Sequence, residues 1–526
     1  MMQLNDISLT DPSEWTDKGY KLPAFKRSEM RDHTLEHPAW IHFGAGNIFR
    51  AFLCADAQKL LDRGLMRTGI IAAEGFDFEI IKKVYRPFDD LSLLVTLKAD
   101  GALEKTVIAS TAESCILDSN DRIEYGHLSD LFCRPSLQLC TFTITEKGYL
   151  ITPDVVADLE RGPAASRSYM GRIAGLLYAR YRAGGLPVAM VSLDNCSHNG
   201  DRLKEAILFL AQGWQDPGFV NYVSSPSRVS FPWTMIDKIT PRPDAAVGQI
   251  LQRDGIAGLD PLTTSRNTYI APYVNAEESQ YLVIEDSFPN GRPPLEEAGI
   301  MFADRTTVEK AERMKVCTCL NPLHTALAIF GCLLGYSRIS DEMKDPDLVR
   351  LVSKLGYDEG LPAVTDPGII NPCGFIDTVI HTRLPNPFIP DTPQRIACDT
   401  SQKMPIRFGE TIKSYHRSPV LHTDDLVAIP LTIAGWLRYL VGLDDSLSPM
   451  ELSPDPMLPV LQNKLKNISC CDKISERDLL DCLLSEETLF GADLCAVGLS
   501  GKVIRCFEAM LRGPGAVRST LREYLT

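Results

Sequence analysis

Short apolar runs and glycine turns alternate along the first half of the chain. Residues 39–43 are typical of a strand, Gly44-Ala45-Gly46 follows, and a helical pattern continues to about Arg63. Strand, Gly-x-Gly and helix begin a dinucleotide-binding unit, because glycines let the backbone approach a pyrophosphate at a helix N-terminus. The third glycine of the usual fingerprint is replaced by Phe49. A simple glycine turn between a strand and a helix is the alternative.

Further apolar runs predict a parallel sheet with an accessory hairpin around Asp100-Gly101. Two of them end in polar clusters, at 143–149 and at 194–201. Ligands of open α/β sheets bind beyond the carboxyl ends of the strands, so these clusters are candidate site segments. The predicted strands are 68–73, 92–98, 106–109, 139–145, 186–193, 228–231 and 234–239.

Helical periodicity dominates after about residue 270, with proline-rich loops between the segments. The pattern predicts an α/β protein with an N-terminal Rossmann-like doubly wound sheet and a mainly α-helical C-terminal domain. We expect a polar surface extension over 1–35, the nucleotide-binding domain over 36–265 and the helical domain over 266–526. The predicted helices are 304–319, 322–336, 340–354, 391–400, 424–442, 475–487 and 501–525.

One apolar helix in this second half begins with unusually polar chemistry. Asn321-Pro322 is a helix-start signal, in which Asn321 can cap the helix and Pro322 fits its first position. His324 lies in the first turn, and Lys315 comes shortly before it. A lysine is rarely buried without a partner or a task. The alternative is that Asn321 is only a cap, His324 a core histidine and Lys315 a helix-face lysine.

Composition and charge narrow the class of protein. The 526 residues are 44% hydrophobic and carry a net charge of −14, which disfavours nucleic acid as a partner. No apolar run approaches the length of a membrane span, and the N-terminus lacks a signal-peptide pattern. The 15 cysteines form no CxxC pair, which indicates reduced thiols in a cytoplasmic protein. We expect a small-molecule partner, no metal, and a monomer or small homo-oligomer.

Several separated motifs together resemble the polyol-specific long-chain dehydrogenase/reductase family, which includes mannitol dehydrogenases. The resemblance covers roughly residues 37 to 510. It implies NAD(P)-dependent, metal-independent oxidation of a secondary alcohol, and the acidic residue Glu74 or Asp77 after the second strand favours NAD over NADP. The motifs are Gly44-Ala45-Gly46-Asn47 with Arg50, Thr143 to Tyr149, Asp194-Asn195 with His198 to Asp201, Phe231-Pro232 with Asp237 to Pro241, and Glu312-x-x-Lys315 before Leu320-Asn321 and His324.

The resemblance also implies roles for individual residues. Lys315 is the general acid/base, Asn195 and Asn321 flank the reacting oxygen, and His324 binds substrate. Glu312 lies one helical turn before Lys315 and either relays protons or forms an ordinary salt bridge with it. An acidic residue after the second strand, Glu74 or the competing Asp77, would hold ribose hydroxyls, unless it is only a loop carboxylate. The remaining cofactor-binding candidates are Gly44, Gly46, Asn47, Arg50, Glu146 and Asp237.

The chain departs from the family pattern at its catalytic segment. Asn321 lies six positions after Lys315, whereas the interval in the family pattern is five. In addition, Pro322 replaces a small residue. We expect a local bulge or 3₁₀ turn to absorb the additional residue.

Cations that follow the catalytic segment in the sequence indicate which class of substrate can bind. Arg395, in segment 391–395, and Lys403, in segment 403–407 with Arg407, are candidate partners for a carboxylate. The alternative for Arg395 is a surface helix residue. The similarity favours D-mannonate and D-fructuronate as the substrate pair, ahead of mannitol and fructose, another hexitol, or tagaturonate. A non-catalytic nucleotide-binding protein and a non-redox enzyme on the same fold are the alternatives outside this class.

Overall fold

The computed structural model describes residues 2–471 and 477–525 and contains two compact units. The first unit comprises Met1–Lys98 and Ala102–Glu309, and the second comprises Ala99–Gly101 and Lys310–Thr526. The division falls after Glu309 rather than after residue 265, because strands between Tyr269 and Ala303 pair with strands of the first unit.

Seventeen strands are found in the described residues, all of them in the first unit. They are β1 Met2–Gln3, β2 Tyr20–Lys21, β3 Trp40–Phe43, β4 Ile70–Glu74, β5 Ser92–Leu97, β6 Leu103–Ile108, β7 Thr111–Ile116, β8 Leu139–Phe142, β9 Val188–Ser192, β10 Val229–Ser230, β11 Thr234–Asp237, β12 Ile256–Ala257, β13 Leu262–Thr263, β14 Tyr269–Ile270, β15 Tyr273–Glu277, β16 Tyr281–Glu285 and β17 Met301–Ala303.

The main sheet has six parallel strands in the order β10-β9-β8-β3-β4-β7. The chain builds β3, β4 and β7 towards one edge, then returns to build β8, β9 and β10 on the other side of β3. The strand order therefore reverses between β3 and β8, where ligands bind in doubly wound sheets. The predicted glycine turn follows β3 directly.

Both faces of this sheet are covered, which explains why its strands are apolar throughout. Trp40 and Ile70 pack into a core on one face. Ile41, Phe43 and Ile71 pack into a separate core on the other face. The helices of this unit are α1 Ser13–Thr16, α2 Arg27–Glu36, α3 Cys54–Asp62, α4 Phe78–Ile80, α5 Arg122–Phe132, α6 Pro153–Arg161, α7 Tyr169–Arg182, α8 Asn199–Gly213, α9 Pro217–Ser224 and α10 Ala245–Arg253.

Smaller sheets extend the first unit and incorporate the N-terminal segment. The predicted hairpin is confirmed, since β5 and β6 are antiparallel within the sheet β15-β5-β6-β2. The strand β2 pairs with β6, and β1 pairs with β12. The segment over 1–35 thus contributes two strands, and its Trp15 and Met30 are buried.

Helices make up the second unit, which confirms the predicted fold class. The helix α19 is buried on every face, as its apolar sequence predicts. The Glu359 carboxylate accepts hydrogen bonds from the backbone of Val427, Ala428 and Ile429 at the start of this helix.

The helices, beginning with one that crosses the division, are α11 Arg305–Arg313, α12 Asn321–Leu333, α13 Ile339–Glu342, α14 Pro346–Ser353, α15 Pro372–Thr378, α16 Pro393–Ile396, α17 Thr400–Arg407, α18 Gly409–Arg417, α19 Ala428–Leu440, α20 Leu458–Leu465, α21 Arg477–Leu484, α22 Glu487–Phe490, α23 Ser500–Met510 and α24 Ala516–Tyr524. The predicted helix over 475–487 begins outside the described residues.

Short 3₁₀ and π segments complete the secondary structure. The π segments are Phe49–Leu53, Ile81–Tyr85, Met314–Cys319, Lys354–Gly360 and Val379–Arg383. The 3₁₀ turns are Ser8–Thr10, Arg86–Phe88, Glu146–Tyr149, Leu295–Ala298, Leu361–Ala363 and Thr423–Asp425.

One helical stretch, Arg305–Leu333, has the length and hydropathy of a membrane span, contrary to the sequence expectation. It is continuous because a π segment joins α11 to α12. The most apolar part of the stretch is 78% buried inside the protein, as a core helix is.

Candidate active site

The glycine turn after β3 has the geometry that its sequence predicts. Gly44 has φ +105°, and a Cβ atom there would lie 2.3 Å from the carbonyl oxygen of Thr143. Its amide donates to the carbonyl of Ala73 over 2.9 Å. The turn after β3 is therefore locked against the ends of β4 and β8, and only glycine fits. A Cβ at Gly46 would meet no atom within 4 Å, so this glycine borders open space.

Glu74 at the end of β4 holds this turn in place. One carboxylate oxygen accepts the amide of Ala45 over 2.9 Å, and the other accepts the amides of Phe76 and Asp77 over 2.7 and 3.1 Å. The side chain is buried, which raises the pKa of Glu74. Asp77 is also occupied, because it accepts from the Glu79 amide and the Thr264 hydroxyl.

A cleft of about 570 Å³ opens at these strand ends. It is lined by Gly44 and Gly46 of the turn, by Glu74 and Asp77, and by the segment that follows β8. The Tyr169 hydroxyl is buried beside it without a hydrogen-bond partner among the described residues. An open glycine and an unused hydroxyl on one cleft fit a dinucleotide. The other lining residues are Phe76, Ile80, Thr143, Ile144, Thr145, Lys147, Gly148, Leu150, Thr152, Asp154, Val155, Ser168, Met170 and Thr268.

Several cofactor-binding candidates lie away from the lining of this cleft. The Arg50 guanidinium is buried and donates to the carbonyl of Ala271 over 2.7 Å and to the Asn47 side chain over 2.8 Å. Burial lowers the pKa of Arg50. Glu146 is largely exposed and pairs with Arg202 over 2.7 Å. Arg50 and Asn47 thus stabilise the helix after the turn.

The Asp194-Asn195 motif is tied to the segment after β8. Asp194 accepts the amides of Ile144 and Thr145 over 3.0 and 2.8 Å and the Tyr149 hydroxyl over 2.5 Å. Burial raises the pKa of Asp194, against these hydrogen bonds. Asn195, the next residue, is exposed within this network. The two polar clusters predicted from the sequence are therefore joined by one carboxylate.

Asn199, from the same motif, is structural in this geometry. Its side chain donates to the Asp194 carbonyl over 3.0 Å and to the Thr234 hydroxyl over 2.8 Å. Gly200 must remain glycine, since a Cβ would lie 2.6 Å from the Phe231 carbonyl oxygen. Asp237, at the end of β11, is buried in the same unit.

In the second unit, Lys315 lies in a π-helical segment that absorbs the additional residue. Its side chain is only 2% exposed. The Leu320 amide donates to the Lys315 carbonyl, five positions back, over 3.2 Å. A π bulge inserts one residue into an α-helix, so the departure is accommodated without a 3₁₀ turn.

Asn321 begins α12 as its first residue, and the predicted side-chain cap is wrong. Leu320 occupies the capping position, and its aliphatic side chain cannot accept a hydrogen bond. The Asn321 carbonyl accepts the Thr325 hydroxyl over 2.9 Å. Glu312 is half-buried, and no ion-pair partner for it is found among the described residues. The predicted salt bridge to Lys315 is therefore not observed.

Four cations and one carboxylate influence His324. The pKa of His324 is lowered to about 3, mainly by burial. The next largest contributions come from the charges of Arg407, Arg395, Arg383 and Lys403. Its Nε2 atom lies 3.4 Å from an oxygen of Asp391, without hydrogen-bond geometry. The imidazole is neutral at physiological pH. We refer to His324 with these four cations as the His324 pocket.

The two cations selected from the sequence are both engaged. Arg395 pairs with Asp391, and its side chain is 62% exposed. Lys403 donates to the carbonyls of Ile396, over 2.9 Å, and of Cys398. Burial, followed by the nearby Arg407 charge, lowers the pKa of Lys403.

Two further side chains, those of Tyr169 and Arg383, lie beside these candidates and were not predicted from the sequence. Tyr169 is the first residue of α7, and nothing in its local sequence marks it as a cleft residue. Arg383 is 4% exposed, and a buried arginine in an otherwise polar segment, His381-Thr382-Arg383, is hard to recognise from sequence alone.

One group of potential metal ligands is found among the described residues. Ligand atoms of Glu113, Cys115 and His127 lie within 4.8 Å of one another on β7 and α5. None of the three lines the glycine-turn cleft or belongs to the His324 pocket. A mechanism without a metal remains a prediction.

Comparison with known proteins shows the family. Residues 38–297 match the Mannitol dehydrogenase Rossmann domain, and residues 307–511 match the Mannitol dehydrogenase C-terminal domain. A D-mannonate oxidoreductase of Thermotoga maritima is 51% identical over 99% of both chains. A D-mannonate oxidoreductase of Escherichia coli is 29% identical, over 88% of this chain and 91% of its own.

A solved structure agrees with this assignment. Pseudomonas fluorescens mannitol 2-dehydrogenase, in ternary complex with NAD and D-mannitol, is 26% identical, with a TM-score of 0.70 over 100% of this chain and 99% of its own. The two matched domains and the full-length relative lead to one conclusion: the chain belongs to the mannitol dehydrogenase family of secondary-alcohol oxidoreductases.

Proposed function

We propose that this protein is an NAD-dependent oxidoreductase that interconverts D-fructuronate and D-mannonate. The observation that carries the proposal is the cationic His324 pocket in a chain whose net charge is −14. Hexitols and hexoses are neutral, whereas both sugar acids carry a carboxylate that arginine and lysine bind. The 51% identical D-mannonate oxidoreductase supports the same substrate pair.

NAD is proposed as the cofactor. Gly44 and Gly46 would face its pyrophosphate, and Tyr169 offers an unused hydroxyl on the same cleft. Glu74 and Asp77 line the cleft with negative charge, which would repel the additional phosphate of NADP. The NAD named in the related mannitol 2-dehydrogenase structure supports this choice.

Reduction of the ketone needs a hydride, a proton and stabilisation of developing negative charge on oxygen. NADH, when bound, supplies the hydride. In the proposed mechanism the Lys315 ammonium gives the proton to the carbonyl oxygen, and the amine takes it back in the reverse direction. The side-chain amides of Asn195 and Asn321 each donate a hydrogen bond to that oxygen. Glu312 relays protons between Lys315 and solvent.

His324 is assigned to substrate binding. A neutral imidazole has one donor nitrogen and one acceptor nitrogen, which suits a sugar hydroxyl. Burial, and after it the positive groups around His324, favour this neutral form. Arg395 and Lys403 are the candidates that the sequence offers for the substrate carboxylate, and both already have partners within the protein.

The test is a substrate panel under one set of conditions. NADH oxidation would be followed by absorbance with D-fructuronate, D-tagaturonate and D-fructose, and NAD reduction with D-mannonate and D-mannitol. We expect the highest kcat/KM with D-fructuronate. A higher value with D-fructose would overturn the proposal in favour of a mannitol 2-dehydrogenase, and a higher value with D-tagaturonate would assign a different sugar acid. No turnover with any of them would contradict the assigned chemistry.

A further inference from the structure

The Arg407 guanidinium differs from that of Arg395, another cation of the His324 pocket, in its partners. It donates to the Thr325 hydroxyl over 2.5 Å and more weakly to the Asn321 carbonyl, at 3.4 Å. No carboxylate pairs with it among the residues that the structure describes. Its two observed partners are neutral oxygens in the first turn of α12.

This environment is costly for a cation. Burial alone accounts for the lowering of the pKa of Arg407 to about 10. A desolvated charge without a counter-ion is unfavourable, and an anion that enters the site compensates for it. Arg395 contrasts with it, since that side chain is largely exposed and already paired with Asp391.

Arg407 also lies beside the first turn of α12, which carries His324. Thr325, the Arg407 partner, is adjacent to His324 in the chain, and Asn321 lies one turn earlier. The Arg407 charge is also the largest electrostatic contribution at His324. Arg407, which has no acidic partner among the described residues, is therefore located at the helix turn that carries two of the proposed substrate-binding residues.

We propose that Arg407 is the specificity-determining residue that binds the substrate carboxylate and so selects a sugar acid over a neutral sugar. The inference rests on the proposed function and refines it, because the sequence assigned that role to Arg395 and Lys403. A guanidinium can bind a carboxylate with two parallel hydrogen bonds, which a single ammonium cannot.

The test is Arg407→Gln, with kcat and KM measured separately for D-fructuronate. Loss of a buried charged hydrogen bond costs about 2 kcal/mol or more, which corresponds to a rise in KM of about 30-fold or more. We expect this rise with kcat within about threefold, because a carboxylate remote from the carbonyl contributes uniform binding. Arg407→Lys should fall between Arg407→Gln and the wild type. Arg417→Gln, an exposed arginine on α18, is the matched control and should leave both constants unchanged.

Other outcomes distinguish a failure of this inference from a failure of the proposed function. A fall in kcat without a rise in KM would overturn it, because Arg407 would then act only by positioning Asn321. An inactive Arg407→Gln protein that still binds NADH and unfolds at the wild-type temperature would be tested by D-mannonate binding. Unchanged D-mannonate affinity would overturn the inference, and weakened affinity would support it. Failure of the wild-type enzyme on D-fructuronate would instead refute the proposed function itself.

Discussion

The glycine-turn cleft and the His324 pocket use charge in opposite ways. In the first unit, carboxylates face inward onto backbone amides: Glu74 binds three, and Asp194 binds two and a tyrosine hydroxyl. These acids hold loops in place at the ends of strands. In the second unit, Arg383, Arg395, Lys403 and Arg407 surround a neutral histidine.

In the proposed function this difference separates two tasks. The acidic groups of the cleft would repel the additional phosphate of NADP, and the cations around His324 would bind the carboxylate of a sugar acid. A net charge of −14 is compatible with both an acidic cleft and a cationic pocket, because the local potential is set by nearby groups and not by the sum over the chain.

The strongest test of this separation is Lys315→Ala. We expect kcat to fall about 10²–10⁴-fold, the usual contribution of a general acid/base. NADH affinity, measured by fluorescence titration, should be retained because the cleft belongs to the first unit. Lys310→Ala, an exposed lysine five positions earlier, is the control. Near-wild-type turnover by Lys315→Ala would exclude the assigned role.

The two proposed hydrogen-bond donors offer a paired comparison across the units. Asn195→Ala and Asn321→Ala should each lower kcat about 10²–10³-fold, because each removes one donor to the developing oxyanion. Asn221→Ala, on the surface of α9, should retain wild-type activity. If only one of the two variants is impaired, the other asparagine has no part in the chemistry.

Two glycines of the same turn should separate folding from cofactor binding. Gly44→Ala places a methyl against the Thr143 carbonyl at a positive φ, and we expect it to lower the melting temperature. Gly46→Ala meets no protein atom, so stability should be unchanged. The new methyl should weaken NADH binding about 10–100-fold, the effect of about 1–3 kcal/mol of steric overlap. Unchanged NADH affinity in Gly46→Ala would place the pyrophosphate elsewhere.

The final expected effect is on acid stability. Burial lowers the pKa of His42 to about 3, and burial with four cations does the same at His324. The unfolded chain protonates both near 6.5, so it binds more protons than the folded chain below that pH. Stability should therefore fall as pH drops from 6.5 towards 3, by up to about 1.4 kcal/mol per pH unit for each histidine.

Urea unfolding at pH 7 and pH 4.5 would measure this dependence. His324→Gln should lose less stability on acidification than the wild type, and the exposed His416→Gln should behave as the wild type. Added salt should reduce the contribution of His324 to the pH dependence of stability more than that of His42, because nearby cations lower the pKa of His324 only. An equal pH slope in His324→Gln and the wild type would show that His324 is already protonated in the folded state.

Periodicity and turn chemistry were enough to predict five of the six strands of the main sheet, the Gly44 turn, the β5–β6 hairpin and the helical second half, whereas the edge strand β7 was missed. These features depend on neighbours within a few positions, where apolar spacing and glycine conformations have direct physical meaning. The family followed from several motifs taken together. The boundary after Glu309 did not follow, because it depends on pairing between strands that are far apart in sequence.

At the candidate site, the sequence by itself determined which types of chemistry are present: a glycine turn, a lysine, two amides, a histidine and nearby cations. Tertiary structure decided what each group faces. It directed Glu74 onto backbone amides, buried Arg50 behind the turn, and absorbed the additional residue after Lys315 in a π segment. Among the described residues it also left Arg407, rather than Arg395, without an acidic partner, because the Arg407 guanidinium binds Thr325, which is distant in the chain.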